Sequence, residues 1–353
     1  MTQEKYRYNE PYLRDHLVNG EQILLGVTYA SLAFDALAGQ YDKGLVLERL
    51  LFHDPVVLQT GEEVSIELTS SGEQFAAVAT KADGENAVKV AEGNFRRTEL
   101  TPDKIFETII RLRENAEKIT SKEALYAEGT NSDIVQGKSV QVVEKVYTHG
   151  RESLASLSLS LEDPDQHHYG HVHPALLNGS VFAGLAGLEE LKDTYIPVMI
   201  KKMVLWGRVE DACFSYGRLV KSNREILELD CTICNTDGEV LLTVEGFMCK
   251  RMRVGEEEVA NAEPTGSAVS QEPQPMASSA RIRAEQFLRT QVKKIYKGDV
   301  NALPSNRNFM DLGLDSTQLI SLVKQMESEL KVDLYPTLFF EYQNIDELSE
   351  YLS

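Results

Sequence analysis

The stretch His173–Gly179 reads His-Pro-Ala-Leu-Leu-Asn-Gly and leads into an apolar segment that extends to about Leu191. Small residues recur through this segment, at Gly179, Ala183, Gly184, Ala186 and Gly187. Helices this rich in glycine are intrinsically weak, and they persist where another backbone must approach closely. The stretch therefore predicts a buried helix that is cradled by a sheet.

An earlier stretch, His16–Gly20, reads His-Leu-Val-Asn-Gly and precedes a second apolar segment, for which we predict a helix over residues 25–38. Strand-like runs follow, and Val64–Leu68 alternates apolar and polar residues with a period of two. The same order of elements recurs between about residues 130 and 254, where a hairpin turn is predicted at Asn235–Gly238. The chain thus contains two similar halves, each with one buried helix.

The earlier stretch resembles the first motif of the double-hotdog dehydratase domains of modular polyketide synthases, H-x-x-x-G-x-x-x-x-P. His16 and Gly20 match this motif, and Leu25 stands in place of the proline. The resemblance covers roughly residues 5 to 254. It implies an α+β double hotdog, in which two antiparallel sheets are each wrapped around a central helix.

The later stretch resembles the second motif of the same family, H-P-A-L-L-D-x-x-x-Q/H. The match runs from His173 to Leu177, with Asn178 in place of the aspartate and Phe182 in place of the glutamine or histidine. A further departure falls where the family usually has Y-G-P-x-F, since residues 136–140 read Gln-Gly-Lys-Ser-Val.

These departures fall on the positions that carry out dehydration in the family. There the histidine removes the α-proton of a β-hydroxyacyl thioester, and the protonated aspartate donates to the departing hydroxyl. Asn178 has no proton to give near pH 7, and loss of a general acid typically costs about 10²–10⁴-fold in rate. Ordinary dehydration is disfavoured, whereas His16, with an ordinary pKa of about 6.5, can still take and return a proton.

Some dehydratase-like domains of trans-acyltransferase polyketide synthases, the enoyl-isomerases, keep the histidine but have asparagine for aspartate and lack the motif proline. The chain resembles these domains, which implies that a single base moves an α,β double bond of an enoyl thioester to the β,γ position. The implied site residues are His16 and Asn178 for catalysis, the backbone N–H of Gly26 for the thioester oxyanion, and Gly20, Leu25 and Phe182 for the substrate pocket.

Three other interpretations stay open. A pyran or furan synthase of the same superfamily would add a hydroxyl to an enoyl thioester. A silent scaffold would only support the rest of the chain, although the intact His16 and Gly20 argue against decay. A weak dehydratase would use Asn178 through water. We expect His173 to turn the chain into Pro174, and we expect the loop histidines to be solvated rather than metal ligands: His167, His168 and His171.

Residues 281–353 form a predicted all-α domain of four helices, in which Leu319, Val323, Met326 and Leu330 share one face of the second helix. The stretch Phe309–Ser316 resembles the acyl carrier protein motif, whose serine receives 4′-phosphopantetheine. Ser316 would open the second helix, whose positive end favours a phosphodiester. The predicted boundaries are residues 5–105 for the first hotdog, 101–120 for a connecting helix, 130–254 for the second hotdog, 255–280 for a flexible linker and 281–353 for the carrier domain.

The formal charge of −19 argues against nucleic acid and anionic membranes as partners. No apolar run approaches the length of a membrane span, and Met1–Lys5 lacks the apolar core of a signal peptide, so a cytoplasmic protein is expected. Cys231 and Cys234 lie three apart in a predicted strand and would point to opposite faces, which argues against a disulfide or a metal site.

The resemblance also implies partners and a biological setting. The partners are a carrier-bound polyketide intermediate, a neighbouring ketosynthase, a trans-acting acyltransferase and a phosphopantetheinyl transferase. It implies a role in antibiotic biosynthesis. Whether the chain forms a homodimer stays open.

The carrier motif generates a direct prediction. Incubation with coenzyme A and a promiscuous phosphopantetheinyl transferase should add one phosphopantetheinyl group, because Ser316 opens a helix. Intact-mass spectrometry measures the addition, and Ser316→Ala should stay unmodified. An unchanged wild-type mass, or a gain that survives Ser316→Ala, would refute the assignment.

Overall fold

The computed structural model describes residues 2–39, 44–82, 87–128, 133–159, 169–186, 194–209, 211–223, 225–252, 279–296, 298, 303–312, 314, 316–332, 334–335 and 337–353. The chain divides into two compact units, Met1–Met252 and Arg253–Ser353. Each unit is described by itself.

The first half of the larger unit surrounds one helix, α2, whose residues are nearly all buried. The helix begins at Thr28, three residues later than predicted, because residues 25–27 form a turn whose carbonyl groups accept the first N–H groups of the helix. The elements of this half are β1 (Thr2–Arg7), α1 (Pro11–Arg14), β2 (His16–Val18), β3 (Glu21–Ile23), α2 (Thr28–Ala38), β4 (Gly44–Phe52), β5 (Val57–Leu58), β6 (Glu63–Ser71), β7 (Gln74–Lys81) and β8 (Ala87–Thr98).

The second half surrounds helix α5 and departs from the sequence analysis in two places. The connecting helix, predicted over residues 101–120, spans only Phe106–Glu114 and is followed by a short strand and a second helix, and four strands follow α5. The elements are α3 (Phe106–Glu114), β9 (Lys118–Ser121), α4 (Lys122–Glu128), β10 (Ile134–Gln136), β11 (Val143–His149), β12 (Glu152–Ser158), α5 (Pro174–Leu185), β13 (Tyr195–Leu205), β14 (Ala212–Ser222), β15 (Ile226–Cys234) and β16 (Val240–Arg251).

The strands form an antiparallel double hotdog, as the sequence predicted. The two halves do not keep separate sheets, because β4 pairs with β13 and joins them into one 12-stranded sheet of order β1-β6-β7-β8-β4-β13-β16-β15-β14-β12-β11-β9. A smaller four-stranded sheet of order β10-β2-β3-β5 contains the His16 strand. Strands from both halves therefore build this smaller sheet.

Helix α5 lies very close to the sheet, as its small residues predicted. A Cβ added at Gly179 would clash with Cγ2 of Val142, and one added at Gly217 on β14 would lie 2.9 Å from the Cα of Gly184. Such distances leave no room for a side chain. The glycines, which weaken the helix by themselves, are thus explained by close packing.

The smaller unit contains α6 (Ser279–Val292), α7 (Ser316–Leu330), α8 (Leu338–Glu341) and α9 (Ile345–Tyr351). Leu319, Val323 and Met326 are buried in its core, as predicted, whereas Leu330 is 37% exposed because it lies in the last turn of α7. The rings of Phe309 and Phe339 meet edge to face at 4.9 Å. The predicted linker lies almost entirely outside the described residues.

Cys231 and Cys234 lie on opposite faces of β15, as predicted. Cys231 belongs to the central core, and Cys234 belongs to the apolar cluster that α3 covers. No described helix is long and apolar enough to cross a membrane.

The close approach at Gly179 gives a stability prediction. A glycine-to-alanine change inside a helix ordinarily stabilises by about 1 kcal/mol, but Gly179→Ala should destabilise by about 1–3 kcal/mol because of overpacking against Val142. Urea unfolding measures the difference. In a Val142→Ala background the same substitution should cost less, and equal costs in both backgrounds would contradict the packing.

Candidate active site

His16 lies on a tight hairpin between β2 and β3. Asn19 and Gly20 form its two-residue turn with φ angles of 51° and 81°, which matches a type I′ turn and explains the asparagine-glycine pair. Gly20 is exposed, and a Cβ added there would meet nothing within 4 Å. Gly20 was expected to line the substrate pocket. In this structure it shapes the hairpin of His16 instead.

The ring of His16 is held in one tautomer. Its Nδ1 lies 2.7 Å from the carbonyl oxygen of Ile23, and a carbonyl can only accept, so Nδ1 carries the proton. Nε2 of the neutral ring then keeps its lone pair, and none of the described residues hydrogen-bonds to it. Burial lowers the pKa of His16, although the bond to Ile23 opposes this effect. The side chain is therefore a neutral base at pH 7.

The segment that departs from the family's Y-G-P-x-F pattern lies directly beside His16. Gln136 on β10 pairs with His16 on β2, and the N–H of Gly137 donates to the carbonyl of Asp15 at 2.7 Å. The N–H of Ser139 donates to Oδ2 of Asp15 at 2.8 Å. A Cβ on Gly137 would lie 2.7 Å from Cγ of Asp15, which explains the glycine. A 3-10 turn at Lys138–Val140 then contacts α5.

The turn before α2 presents backbone donors. Gly26 lies two residues before the helix begins, and its N–H donates to none of the described residues. A Cβ on Gly26 would touch Pro197 and Phe52 at ordinary distances, 3.4 Å and 3.7 Å. Leu25, which replaces the motif proline, is buried in the core rather than on an open surface.

Helix α5 carries the candidate site residues of the second motif. His173 caps the helix by accepting the N–H of Ala175 at Nδ1, 3.1 Å away, which is the structural role expected for it. Asn178 is half-buried, and its Nδ2 is buried without a hydrogen-bond partner among the described residues. An unpaired buried donor costs about 1–3 kcal/mol, so the amide is suited to a ligand acceptor. One turn later, Phe182 stacks on Tyr126 with ring centroids 5.4 Å apart.

The loop before α5 differs from expectation at His171. Its Nδ1 lies 2.8 Å from Oδ1 of Asp35 on α2, so the ring is paired rather than solvated. His167 and His168 lie outside the described residues. No group of three or more potential metal ligands occurs among the residues that the structure describes.

Sequence reasoning missed Ile23, Asp35 and Tyr126. Ile23 acts through its carbonyl, which gives no side-chain signal. Asp35 and Tyr126 lie far from their partners in sequence, in the helices α2 and α4. Asp35 alone gave a signal in the sequence, because an acidic residue within an apolar helix needs a polar partner.

In the smaller unit, helix α7 begins at Ser316, as the carrier motif predicted. A 15-residue helix has a positive end that suits a phosphodiester at its first residue. The position therefore fits the phosphopantetheine arm.

Comparisons with known protein families match three parts of the chain. A model described as "Polyketide synthase dehydratase domain" matches residues 2–91, and one described as "Polyketide synthase dehydratase N-terminal domain" matches residues 107–259. A model described as "Phosphopantetheine attachment site" matches residues 286–352.

Individual proteins are similar as well. Polyketide synthase PksR of Bacillus subtilis is 25% identical over all of this chain, which spans only 14% of the length of PksR. A trans-AT polyketide synthase dehydratase domain from Brevibacillus brevis has a TM-score of 0.62 at 20% identity, over 71% of this chain and 93% of that one. A trans-acyltransferase polyketide synthase enoyl-isomerase has a TM-score of 0.60 at 22% identity, over 70% and 98%.

The state of His16 gives a prediction that does not depend on the reaction. Since burial lowers its folded pKa below the unfolded value of about 6.5, the free energy of unfolding should fall as the pH falls below about 6.5. Denaturation at a series of pH values measures this loss, and His16→Gln should remove part of it.

His53→Gln provides the matched control, because His53 is 31% exposed and lies beside Glu92 on the surface. It should leave the His16 contribution intact. A decline that is identical in the wild type and His16→Gln would show that His16 is not held neutral by burial.

Proposed function

Since the chain belongs to the polyketide synthase dehydratase family and ends in a phosphopantetheine-binding carrier domain, we propose that its double hotdog is an enoyl-isomerase. It moves the α,β double bond of a carrier-bound enoyl thioester to the β,γ position. The observation that carries the proposal is a base without an acid: His16 is held as a neutral imidazole, while the acid position is occupied by Asn178.

His16 acts as the proton shuttle. Nε2 removes a proton from Cγ, and the electrons of that C–H bond form the Cβ=Cγ double bond as the α,β double bond shifts into a dienolate. The imidazolium then returns the proton to Cα, and the thioester carbonyl is restored. No group leaves and no second acid is consumed, so the reaction needs one base of suitable pKa.

The dienolate oxygen needs hydrogen-bond donors. The N–H of Gly26 has no partner among the described residues and lies at the turn into α2, whose positive end favours an anion. The buried Nδ2 of Asn178 is a second donor, which orients the substrate without giving up a proton. Phe182 supplies apolar surface one turn from Asn178, whereas Leu25, which was expected in the pocket, is buried in the core.

The carrier domain supplies the substrate attachment. Its cofactor is 4′-phosphopantetheine, whose thiol carries the acyl group as a thioester. Ser316 is the proposed attachment residue, placed at the start of α7. The proposed partners are a phosphopantetheinyl transferase, a ketosynthase and a trans-acting acyltransferase, consistent with the trans-AT dehydratase and enoyl-isomerase domains that share the fold.

A thioester panel tests the reaction class. The full chain is incubated separately with a β-hydroxyacyl, an α,β-enoyl and a hydroxy-enoyl thioester, and mass spectrometry and NMR follow each one. The α,β-enoyl thioester should rearrange without a change of mass. Loss of water from the β-hydroxyacyl thioester would identify a dehydratase, and ring closure of the hydroxy-enoyl thioester would identify a cyclase. No change in any of the three thioesters would indicate a scaffold.

Variants test the assignment of roles. His16→Ala should abolish both double-bond migration and exchange of the γ-protons with deuterated water, because Asn178 in the second motif cannot act as the base. Asn178→Ala should lose less, since each orienting hydrogen bond is worth about 0.5–1.5 kcal/mol.

Asn178→Asp is the control for the missing acid. It should not restore efficient dehydration, because Phe182 and Leu25 also differ from the dehydratase pattern. An inactive Asn178→Ala beside an active His16→Ala would reverse the proposed roles.

A further inference from the structure

One carboxylate ties the first hotdog to the loop that leads into α5. Asp35 on α2 accepts three hydrogen bonds: Oδ2 from the N–H of Gly170 at 3.0 Å, and Oδ1 from the N–H and Nδ1 of His171 at 3.0 Å and 2.8 Å. Its side chain is only 18% exposed. Hydrogen bonds to a charged acceptor are stronger than neutral ones, so this contact constrains the loop firmly.

Asp35 lies on a polar stripe of a helix that is otherwise apolar. Thr28 and Ser31 precede it by seven and four residues, a spacing that places all three on one face of α2. Both hydroxyls are fully buried and bond to none of the described residues. Of the three, Asp35 therefore provides the directional contact that fixes this face against the second half.

The constraint reaches the site through a short path. Residues 170 and 171 lie three and two positions before His173, which caps α5, and Asn178 lies on α5 five residues after His173. The loop is also held by a bond between the hydroxyls of Tyr169 and Tyr6 at 3.1 Å. Two contacts from the first half thus position the start of α5.

We propose that Asp35 and His171 are a positioning pair that sets the separation between the His16 half and the Asn178 half of the site. The pair touches neither substrate nor reacting atoms. Its role rests on the proposed isomerisation, because that reaction needs Nε2 of His16 and the amide of Asn178 on one acyl chain. Because the pair acts through the placement of Asn178, its loss should lower kcat by about 3-fold to 10-fold, no more than Asn178→Ala itself.

The test uses the full chain with Asp35→Asn, His171→Phe and the double variant. Asn keeps the shape of Asp35 but brings an amide group toward the N–H of Gly170. Each variant should lower kcat with a smaller change in KM, and the double variant should lose no more than the worse single one. His171→Gln, which keeps a side-chain donor, should recover part of the rate. Asp54→Asn is the matched control, since Asp54 is exposed.

Two further measurements separate this proposal from the proposed function. Denaturant unfolding of the wild type, both single variants and the double variant gives the coupling between the two residues. Amide hydrogen exchange of residues 169–177 reports how firmly the loop is held. Coupled unfolding energies with faster exchange in the variants support the pair even if no thioester is turned over.

Two sets of results would overturn the role of Asp35 and His171. If the wild type isomerises an enoyl thioester while Asp35→Asn and His171→Phe stay within about twofold of it, the positioning role is wrong. If the wild type turns over nothing, additive unfolding energies and unchanged exchange overturn the pair independently. If Asp35→Asn does not fold, His171→Phe and His171→Gln carry the same test.

Discussion

The backbone pairing of β4 with β13 is the interaction on which the remaining structure depends. It joins the sheets of the two halves into one, with Leu45–Leu51 opposite Leu205–Met199. The central helices α2 and α5 then lie on one continuous sheet and contact each other. Because His16 belongs to one half and Asn178 to the other, the site that we propose needs both halves. The small sheet, in which β10 of the second half pairs with β2 of the first, adds a second connection close to His16.

Part of this organisation could be predicted from the sequence, because it depends on residues that are close together along the chain. The glycines of α5 predicted a close approach of the helix to its neighbours. The short distances at Gly179 on α5 and at Gly217 on β14 confirm this approach. The Asn-Gly pair of residues 19 and 20 was interpreted only as part of the His16 motif, although such a pair is typical of the tight hairpin that is observed. The buried stripe of α7 followed from helical spacing, and its start at Ser316 agrees with the carrier motif.

The remaining features depend on contacts between distant residues. Strand β9 and helix α4 were missed because their short segments carry no clear period, and the start of α2 was misplaced because apolar composition continues through the turn at Gly26. The tautomer of His16 is set by a backbone carbonyl, which every residue has. His171 seemed solvated because its partner, Asp35, lies 136 residues away.

The proposed chemistry depends on which of two positions, His16 and Asn178, can give or take a proton. A dehydratase needs a base and an acid, whereas this site combines a neutral imidazole with an amide whose donor is buried and unpaired among the described residues. Nitrogen-15 NMR of the histidine rings measures the state of that base directly, with His16→Ala to assign the signal. At pH 7 we expect a neutral His16 ring with its proton on Nδ1. A protonated ring, or a neutral ring with its proton on Nε2, would contradict it, because Nε2 would then have no lone pair to accept the γ-proton.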